Sequence, residues 1–158
     1  MEYIKLTNLT LHTFNNESRN DLEFVKKLCK DEAIKKWVHG VTGGLLKNPN
    51  NEFFGYTFIV KDNEEYVGFI KIGNFNNNEN CVYLRAGISA DKRKMNYGKM
   101  LLSEITEYIF SNYDNVHSIK LKIANDNRAS LKTAEACGYS WISDDFYGKS
   151  NPYIKTIK

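Results

Sequence analysis

The stretch from Tyr83 to Phe110 reads YLRAGIS-ADKRKMNYG-KMLLSEITEYIF, and its hydrophobic pattern changes period in the middle. From Val82 to Ile88 the apolar side chains alternate, which is typical of a strand with one buried face. After Gly98 they recur every three or four residues, as on one side of an amphipathic helix. The sequence therefore predicts a strand over Cys81–Ser89, a tight turn, and a helix over Gly98–Asn112.

The turn between this strand and this helix has the composition of an anion-binding site. The first N–H groups of a helix are unpaired and carry partial positive charge, so a turn that directs them outward can bind phosphate. Arg93, Lys94 and Lys99 add charge to the turn. Asn96 tolerates a left-handed backbone, and Gly98 lets a ligand approach the main chain closely. The alternative is an ordinary turn with solvated lysines, because neither a Walker loop nor GxGxxG is present.

The rest of the chain continues the alternation of strands and helices on both sides of this unit. Gly138 stands where a helix often ends, directly after the last expected helix. The other expected strands are Tyr3–Leu11, Tyr56–Lys61, Tyr66–Gly73, Ser118–Ala124, Tyr139–Ile142 and Tyr153–Ile157. The other expected helices are Asp21–Lys30, Asp31–His39 and Asn127–Cys137.

Length and composition fit one ordinary α/β domain and exclude several classes of protein. The 158 residues carry a net charge of +3, which suits an anionic ligand, and no nucleic-acid-binding signature is present. The three cysteines and three histidines have no metal-site spacing, so no metal is expected. The N-terminus lacks a signal peptide and no apolar run is long enough to cross a membrane. We therefore expect a cytoplasmic protein that does not bind membranes.

Two local motifs resemble those of a known family. Arg93–Gly98 resembles the Q/R-x-x-G-x-G/A signature of the GNAT (GCN5-related) N-acetyltransferases. Asn127–Ser130, followed by Ala134–Tyr139, is similar to the later N-x-x-S … G-F/Y segment of that family. The pattern from Tyr3 to Leu28 is similar to the opening strand and helix of its RimJ/RimL-like branch.

The resemblance implies a fold, a co-substrate and a set of residues that bind it. The fold would be a single GNAT-like domain over residues 1–158, with a mixed, mostly antiparallel sheet of six to seven strands. About four helices would flank this sheet, which would be splayed between its central strands. Acetyl-CoA would be the co-substrate, with its pyrophosphate on backbone amides of the turn and its pantetheine along the preceding strand. The implied binding residues are Gly87, Ile88, Ser89, Arg93, Lys94, Met95, Asn96, Tyr97, Gly98, Lys99, Asn127 and Ser130.

The implied reaction is direct transfer of the acetyl group to an amine, either a protein N-terminus or a small molecule, by a monomer or homodimer. Glu79 is the expected base, although a solvated loop residue is the alternative, and Ser130 is a second candidate catalytic residue. Asn127 has the alternative role of a helix N-cap. The acceptor would contact side chains of three residues, namely Trp37, Tyr83 and Arg85.

Two residues depart from the family pattern. Asn96 replaces the first glycine of the signature, and a left-handed conformation there is within the reach of asparagine. Ala134 stands where many members carry a tyrosine that protonates the departing thiolate. General acid catalysis contributes roughly 10²–10⁴-fold, so its loss slows transfer without preventing it. The rival hypothesis is a module that binds CoA without catalysis.

Overall fold

The computed structural model describes residues 3–37, 56–76, 80–124, 126–141 and 150–156. In these ranges the strands are β1 Tyr3–Lys5, β2 Thr10–Thr13, β3 Tyr56–Asp62, β4 Glu65–Asn76, β5 Cys81–Ile88, β6 Ser118–Ala124, β7 Ser140–Trp141 and β8 Ser150–Thr156. The helices are α1 Arg19–Cys29, α2 Glu32–Trp37, α3 Tyr97–Asn112 and α4 Arg128–Ala136. The predicted order of elements is confirmed.

The strands form one mixed sheet in the order β1-β2-β3-β4-β5-β6-β8-β7. Pairing is antiparallel from β1 to β4 and again at β6-β8-β7, whereas β5 and β6 are parallel. The parallel ladder ends at the pair Leu84–Leu121, although β5 continues to Ile88 and β6 to Ala124. The fold prediction, including a sheet that splays at its central strands, is confirmed.

The described part of the sheet has eight strands, one more than the upper end of the expected range. The expected strand Tyr3–Leu11 is a hairpin of two strands, in which the Leu6 amide donates to the Leu9 carbonyl across a turn. The turn contains Asn8, a residue type that favours turns. The strand β4 runs on to Asn76, three residues beyond the end of the expected strand Tyr66–Gly73.

The chain divides into two compact units, and the first comprises Met1–Ile72 and Ala86–Tyr97. Its core is formed where α1 and α2 cover β3 and β4. Because α1 places apolar residues every three or four positions, one side of it is buried and the other carries charge. The buried cluster comprises Phe14, Phe24, Val25, Leu28, Ile34, Ile59 and Phe69.

A buried carboxylate, Asp21, joins α1 to the sheet in this first unit. It accepts hydrogen bonds from the Tyr66 hydroxyl at 2.8 Å and from the Asn15 amide at 3.0 Å, and His12 Nε2 lies 3.1 Å from both of its oxygens. Burial, and then the bond to Asp21, raises the pKa of Tyr66 to about 12. A buried carboxylate with this many partners is stabilised in place, so the network fixes the position of α1.

The second unit comprises Gly73–Arg85 and Gly98–Lys158. Its apolar residues lie on one stripe of α3 and on alternate positions of β5 and β6, as the sequence predicts. The buried members include Val82, Leu84, Leu101, Ile105, Ile109, Ile119 and Leu121. Whether the two units form the single domain expected from the sequence stays a prediction.

Helix α4 ends in a Schellman motif, as the position of Gly138 predicted. Gly138 has φ 81° and donates to the Glu135 carbonyl, while the Tyr139 amide donates to the Ala134 carbonyl, both at 3.0 Å. Tyr139 is buried, and its hydroxyl lies 2.6 Å from Thr106 Oγ1 on α3. Tyr139 therefore anchors the end of α4 to α3. In the described ranges no helix has the length and apolarity to cross a bilayer.

Candidate functional site

The end of β5 approaches β4 so closely that both strands need glycine. A Cβ atom added to Gly68 would lie 2.2 Å from the Gly87 carbonyl oxygen, and one added to Gly87 would lie 2.6 Å from Phe69 Cε1. Gly87 is an isolated glycine inside a strand, which is a signal for such a close approach of two backbones. Gly68 was not predicted, although an isolated glycine inside the apolar run YVGFI is a signal for such an approach.

A bulge in β4 fixes where β5 ends. The register between β3 and β4 shifts at Val60 and Lys61, which leaves Val67 as the extra residue of β4. The Val67 carbonyl accepts the Ser89 amide at 2.9 Å, and the Ser89 hydroxyl donates to Asp91 at 2.8 Å. Ser89 is also buried. The amide and the hydroxyl of Ser89 are thus engaged within the protein, and its expected role in cofactor binding stays a prediction.

The turn after β5 contains two non-glycine residues in the left-handed region. A short 3₁₀ turn, Ala90–Lys92, comes first, and Lys94 and Asn96 follow with φ of 62° and 68°. The left-handed conformation predicted for Asn96 is confirmed. That of Lys94 was not predicted, because lysine has no local preference for it and the conformation costs about 1–2 kcal/mol.

The main-chain amides of the turn are open. In the ranges given above, the amides of Lys94, Met95 and Asn96 donate no hydrogen bond, and all three residues are exposed. Successive amides of a turn can form a concave nest that attracts anions. The nest leads directly into the first turn of α3, whose own N–H groups and dipole add to the positive potential. We call Lys94–Asn96 the amide nest.

Arg93 is bonded to residues of the first unit. Its Nη2 donates to Asp31 Oδ2 at 2.8 Å and its Nε donates to the Ile88 carbonyl at 3.1 Å. The guanidinium therefore ties the turn to the segment between α1 and α2, and its expected role in phosphate binding stays a prediction. A carboxylate 62 residues away in sequence gave no local signal for this pair.

Asp31, the partner of Arg93, also binds the start of α2. Its Oδ1 accepts the amides of Ala33 and Ile34, so the same side chain caps α2. Burial raises the pKa of Asp31, but the hydrogen bond from Arg93 and those from the two amides outweigh burial, and the net pKa is below 3.8. The attachment therefore stabilises the fold above that pH and is lost as pH falls through the lower, folded value.

Three more side-chain contacts hold the flanks of the turn within the first unit. Lys92 pairs with Glu65, and the Tyr97 hydroxyl donates to Asp62 at 2.8 Å, so both ends contact the β3–β4 hairpin. The bond to Asp62 raises the pKa of Tyr97. Asp91 pairs with a lysine of α1 at 2.9 Å, namely Lys27. The turn is thus fixed from several sides while its central amides stay open.

Some cations of the turn pair with carboxylates and others do not. Lys92 and Arg93 are paired with carboxylates, whereas Lys94 and Lys99 have no ion pair in the described part of the chain. Both are exposed. Lys94 is part of the amide nest itself, so a phosphate bound there would meet at least this unpaired lysine. Gly98 is the second residue of α3, next to these charges.

The second motif lies at the start of α4, in the second unit. The Asn127 side chain accepts the Ser130 amide at 3.3 Å, so the alternative role of N-cap is confirmed. Ser130 is half-buried. Ala134 is fully buried, so its side chain is packed and presents no surface to a ligand.

The residues expected to contact the acceptor are described in part. Glu79 lies outside the described residues, and Trp37 ends α2 with its side chain outside them. Tyr83 and Arg85 are both exposed on the same side of β5, opposite the buried Val82 and Leu84. The ammonium of Lys120 lies 5.5 Å from the centre of the Tyr83 ring.

The sequence and the fold of the chain match those of known proteins. Residues 11–139 match the sequence model of the acetyltransferase (GNAT) family. The chain belongs to this GNAT family. The expected acetyltransferase activity and the expected co-substrate, acetyl-CoA, are confirmed at the level of this family. No curated protein matches the chain in sequence.

Solved structures of GNAT proteins have the same fold at low sequence identity. RimL, a ribosomal L7/L12 alpha-N-protein acetyltransferase in complex with coenzyme A, is 12% identical with a TM-score of 0.80, covering 99% of this chain and 98% of that one. A GNAT-family acetyltransferase from Bacillus anthracis is 17% identical, with a TM-score of 0.75 and coverage of 97% and 96%. Spermidine N-acetyltransferase from Vibrio cholerae, in complex with CoA and spermine, is 18% identical, with a TM-score of 0.73 and 94% coverage of both chains.

Removing the charge of Asp31 tests whether the Arg93 attachment prepares the nest for CoA. Asp31→Asn keeps an oxygen that caps α2 but loses the ion pair, and we expect the Kd for CoA to rise about tenfold, or about 1.4 kcal/mol. Glu32→Gln is the matched control, because Glu32 is an exposed acid one residue away. Calorimetry with CoA measures both. If the Asp31→Asn variant binds CoA as well as the Glu32→Gln variant does, or more tightly, the ion pair between Asp31 and Arg93 is not needed for CoA binding.

Proposed function

We propose that this GNAT protein transfers the acetyl group of acetyl-CoA directly to the α-amine of a protein N-terminus. The observation that carries the proposal is the amide nest, in which three exposed amides are open and Lys94 makes no ion pair in the described part of the chain. A pyrophosphate supplies the charge and the size that such a nest accommodates. Acetyl-CoA, when bound, would supply an activated acetyl thioester.

The main chain of β5 would orient the co-substrate. Because successive residues of a strand direct their amides to opposite edges, and Ser89 donates to β4, the Ile88 amide points away from β4. The ladder to β6 has already ended four residues earlier, at Leu84. We therefore assign the Ile88 amide, rather than Ser89, to the pantetheine and thioester carbonyl. Donors fixed in this way stabilise the charge that develops on a carbonyl oxygen during acyl transfer.

The chemistry of the acceptor favours an α-amine. The attacking nitrogen must be neutral; its bond to the acetyl carbon forms as the carbon–sulfur bond breaks, and the sulfur leaves with the electron pair. An α-amine has a pKa near 7.7–8.0, whereas a lysine amine has one near 10.4, so far more of the α-amine is neutral at pH 7. An α-amine therefore demands less of a base. Glu79 and Ser130 stay proposals for proton transfer, and Asn127 stays a proposal for cofactor contact.

The structural relatives support this assignment without deciding it. RimL is named for an α-N-protein acceptor and shares nearly the full length of both chains, which agrees with the RimJ/RimL-like pattern of the N-terminal segment. The relative named for spermidine also covers most of both chains. We place the protein in the RimJ/RimL-like branch on this basis. The cytoplasmic location and the choice between monomer and homodimer stay predictions.

A second candidate function is supported by Ala134. Alanine has no hydroxyl, and Ala134 is fully buried, so this position cannot protonate a leaving thiolate. A module that binds CoA without catalysis would have no need of such a group. A CoA thiol with a pKa near 8.5 is nevertheless a tolerable leaving group as a thiolate near neutral pH. We therefore rank catalysis first.

Thiol release from acetyl-CoA separates these functions. The acceptors are a peptide with a free N-terminus and an internal lysine, the same peptide with a blocked N-terminus, and spermidine. We expect rapid release with the first peptide only, and calorimetry should show CoA binding. Binding without release for any acceptor would establish the non-catalytic module. Equal thiol release with the blocked peptide would exclude the α-amine as the acceptor. No binding at millimolar CoA would contradict both the acetyltransferase and the non-catalytic CoA-binding module.

A further inference from the structure

One tight hairpin contacts the chain on both sides of the amide nest. β3 and β4 are joined by a two-residue turn between the register partners Asp62 and Glu65. Glu65 pairs with Lys92, which lies two residues before the nest. Asp62 accepts the hydroxyl of Tyr97, the residue directly after the nest. All of these residues belong to the first unit, so contacts from the two ends of the nest converge on one pair of neighbouring residues.

The carboxylate of Asp62 is oriented toward Tyr97 by a second donor. Its Oδ1 accepts Asn63 Nδ2 at 3.1 Å, while its Oδ2 accepts the Tyr97 hydroxyl at 2.8 Å. Asn63 has φ 52°, a conformation that asparagine adopts at small cost. The Cα atoms of register partners in an antiparallel ladder lie about 4.5–5.5 Å apart. The hairpin therefore presents its two acceptors to the turn at a closely defined spacing.

The backbone of the nest is of the kind that needs support from its surroundings. Lys94 and Asn96 have φ of 62° and 68°, and a left-handed backbone is unfavourable for a residue such as lysine. A backbone strained in this way persists only where surrounding contacts hold it. The contacts of Lys92 and Tyr97 with the hairpin lie on both sides of the two left-handed residues. An anion that binds to a turn held in this way does not have to order it first.

The acids of the hairpin carry a charge that opposes anion binding. A carboxylate and a phosphate repel each other, so an acid that acted only through its charge would weaken CoA binding. An acid that holds the nest in place would instead strengthen CoA binding in spite of its charge. Glu64, between the two acids, offers the comparison: it is 97% exposed and pairs with Lys61 of the same hairpin at 3.2 Å. The two roles therefore predict opposite effects of removing an acid.

We infer that Asp62 and Glu65 are positioning residues for CoA. Through the Tyr97 hydroxyl and the Lys92 ammonium, they hold the amide nest in the conformation that binds the pyrophosphate. This inference rests on the proposed function, which places CoA in the nest. Because no atom of the hairpin is assigned to the thioester, variants that lose these contacts should have a higher KM for acetyl-CoA and an unchanged kcat at saturating acetyl-CoA.

Calorimetry with CoA compares Tyr97→Phe and Asp62→Ala with the matched control Glu64→Ala. Tyr97→Phe removes the hydroxyl and keeps every charge, whereas Asp62→Ala removes both the acceptor and its charge. Glu64→Ala removes the same charge from the same hairpin. Losing one hydrogen bond corresponds to about fivefold, so Tyr97→Phe and Asp62→Ala should each raise the Kd about fivefold. Their combination should raise it no further, because both break the same bond. Glu64→Ala should leave the Kd unchanged or lower it.

Two further variants separate the contact from the charge. Asp62→Asn keeps an oxygen for the Tyr97 hydroxyl, so its Kd should stay close to that of the unaltered protein. Asp62→Ala combined with Glu65→Ala loses both contacts and should raise the Kd about tenfold or more. Thermal unfolding shows whether each variant is folded.

Equal Kd values for Asp62→Ala and Glu64→Ala, or a lower one for Asp62→Ala, overturn the inference while CoA binding by the unaltered protein still supports the proposed function. Weakening by Tyr97→Phe without weakening by Asp62→Ala also overturns it, because the hydroxyl would then bind CoA itself. A fall in kcat at unchanged KM does the same. If the unaltered protein does not bind CoA, the proposed function is contradicted and the inference with it.

Discussion

Asn96→Val is expected to raise the Kd for CoA about thirtyfold, whereas Asn96→Gly should leave it within about threefold of the original. Asn96 has φ 68°, which glycine adopts freely and asparagine adopts at small cost. A β-branched residue in this region is strained by about 1–3 kcal/mol. Valine would therefore drive the backbone to another conformation and turn at least one amide out of the nest. A thirtyfold change corresponds to about 2 kcal/mol.

Calorimetry with CoA measures the effect, and thermal unfolding of the free proteins shows whether each variant is folded. The comparison of valine with glycine is informative because both lack the amide side chain, so a contact from the Asn96 side chain would be lost equally in both. Equal weakening by both substitutions would mean that the side chain, not the backbone, binds CoA. Unchanged binding in a folded Asn96→Val protein would show that the amide nest is not the CoA site.

Gly68→Ala is expected to reduce the free energy of unfolding by about 3 kcal/mol, while Gly73→Ala changes it by less than about 1 kcal/mol. The added methyl group at position 68 would meet the Gly87 carbonyl at 2.2 Å, and that atom belongs to a backbone that cannot rotate away. At position 73 the nearest contact is the Tyr83 carbonyl at an ordinary 3.8 Å. Overpacking of this kind costs about 1–3 kcal/mol, and both glycines lie in the same strand.

Urea unfolding gives the two free energies, and the expected loss corresponds to a fall in Tm of roughly 6–12 °C for Gly68→Ala. We also expect weaker CoA binding, because a displaced β5 carries Ser89 and the turn with it. Similar unfolding free energies for the two variants would contradict the close approach of β4 to β5. A loss of stability with unchanged CoA affinity would show that the close approach of Gly68 and Gly87 stabilises the fold but does not position the CoA site.

The elements that depend on a local pattern of residues were predictable from sequence. The alternation in β5, the stripe of α3 and the glycine after α4 each depend on residues within one or two turns of each other. Asn96 was predictable as a left-handed residue for the same reason, since its side chain is adapted to that backbone. The boundaries of α1 and α3 lie within two residues of the expected ones.

The parts of the candidate site that depend on distant residues were not predictable. The sequence predicts that Arg93 binds phosphate, and nothing near Arg93 indicates its partner Asp31, which lies 62 positions earlier. The sequence predicts that Ser89 binds the cofactor, and it does not indicate the bulge in β4 that places the Val67 carbonyl opposite the Ser89 amide. The positive φ of Lys94 has no local sequence signal, and the turn around it is held on both flanks by contacts with distant residues.

Asp31 both caps α2 and pairs with Arg93. Substitutions at positions 31 and 93 should therefore depend on each other during evolution. The family signature allows glutamine as well as arginine at the position of Arg93. A lineage that adopts glutamine there leaves a partly buried carboxylate without its cation, which is unfavourable. Serine, threonine or asparagine would still cap the helix without needing that charge. Selection on CoA binding at the turn therefore extends to the residue that begins α2.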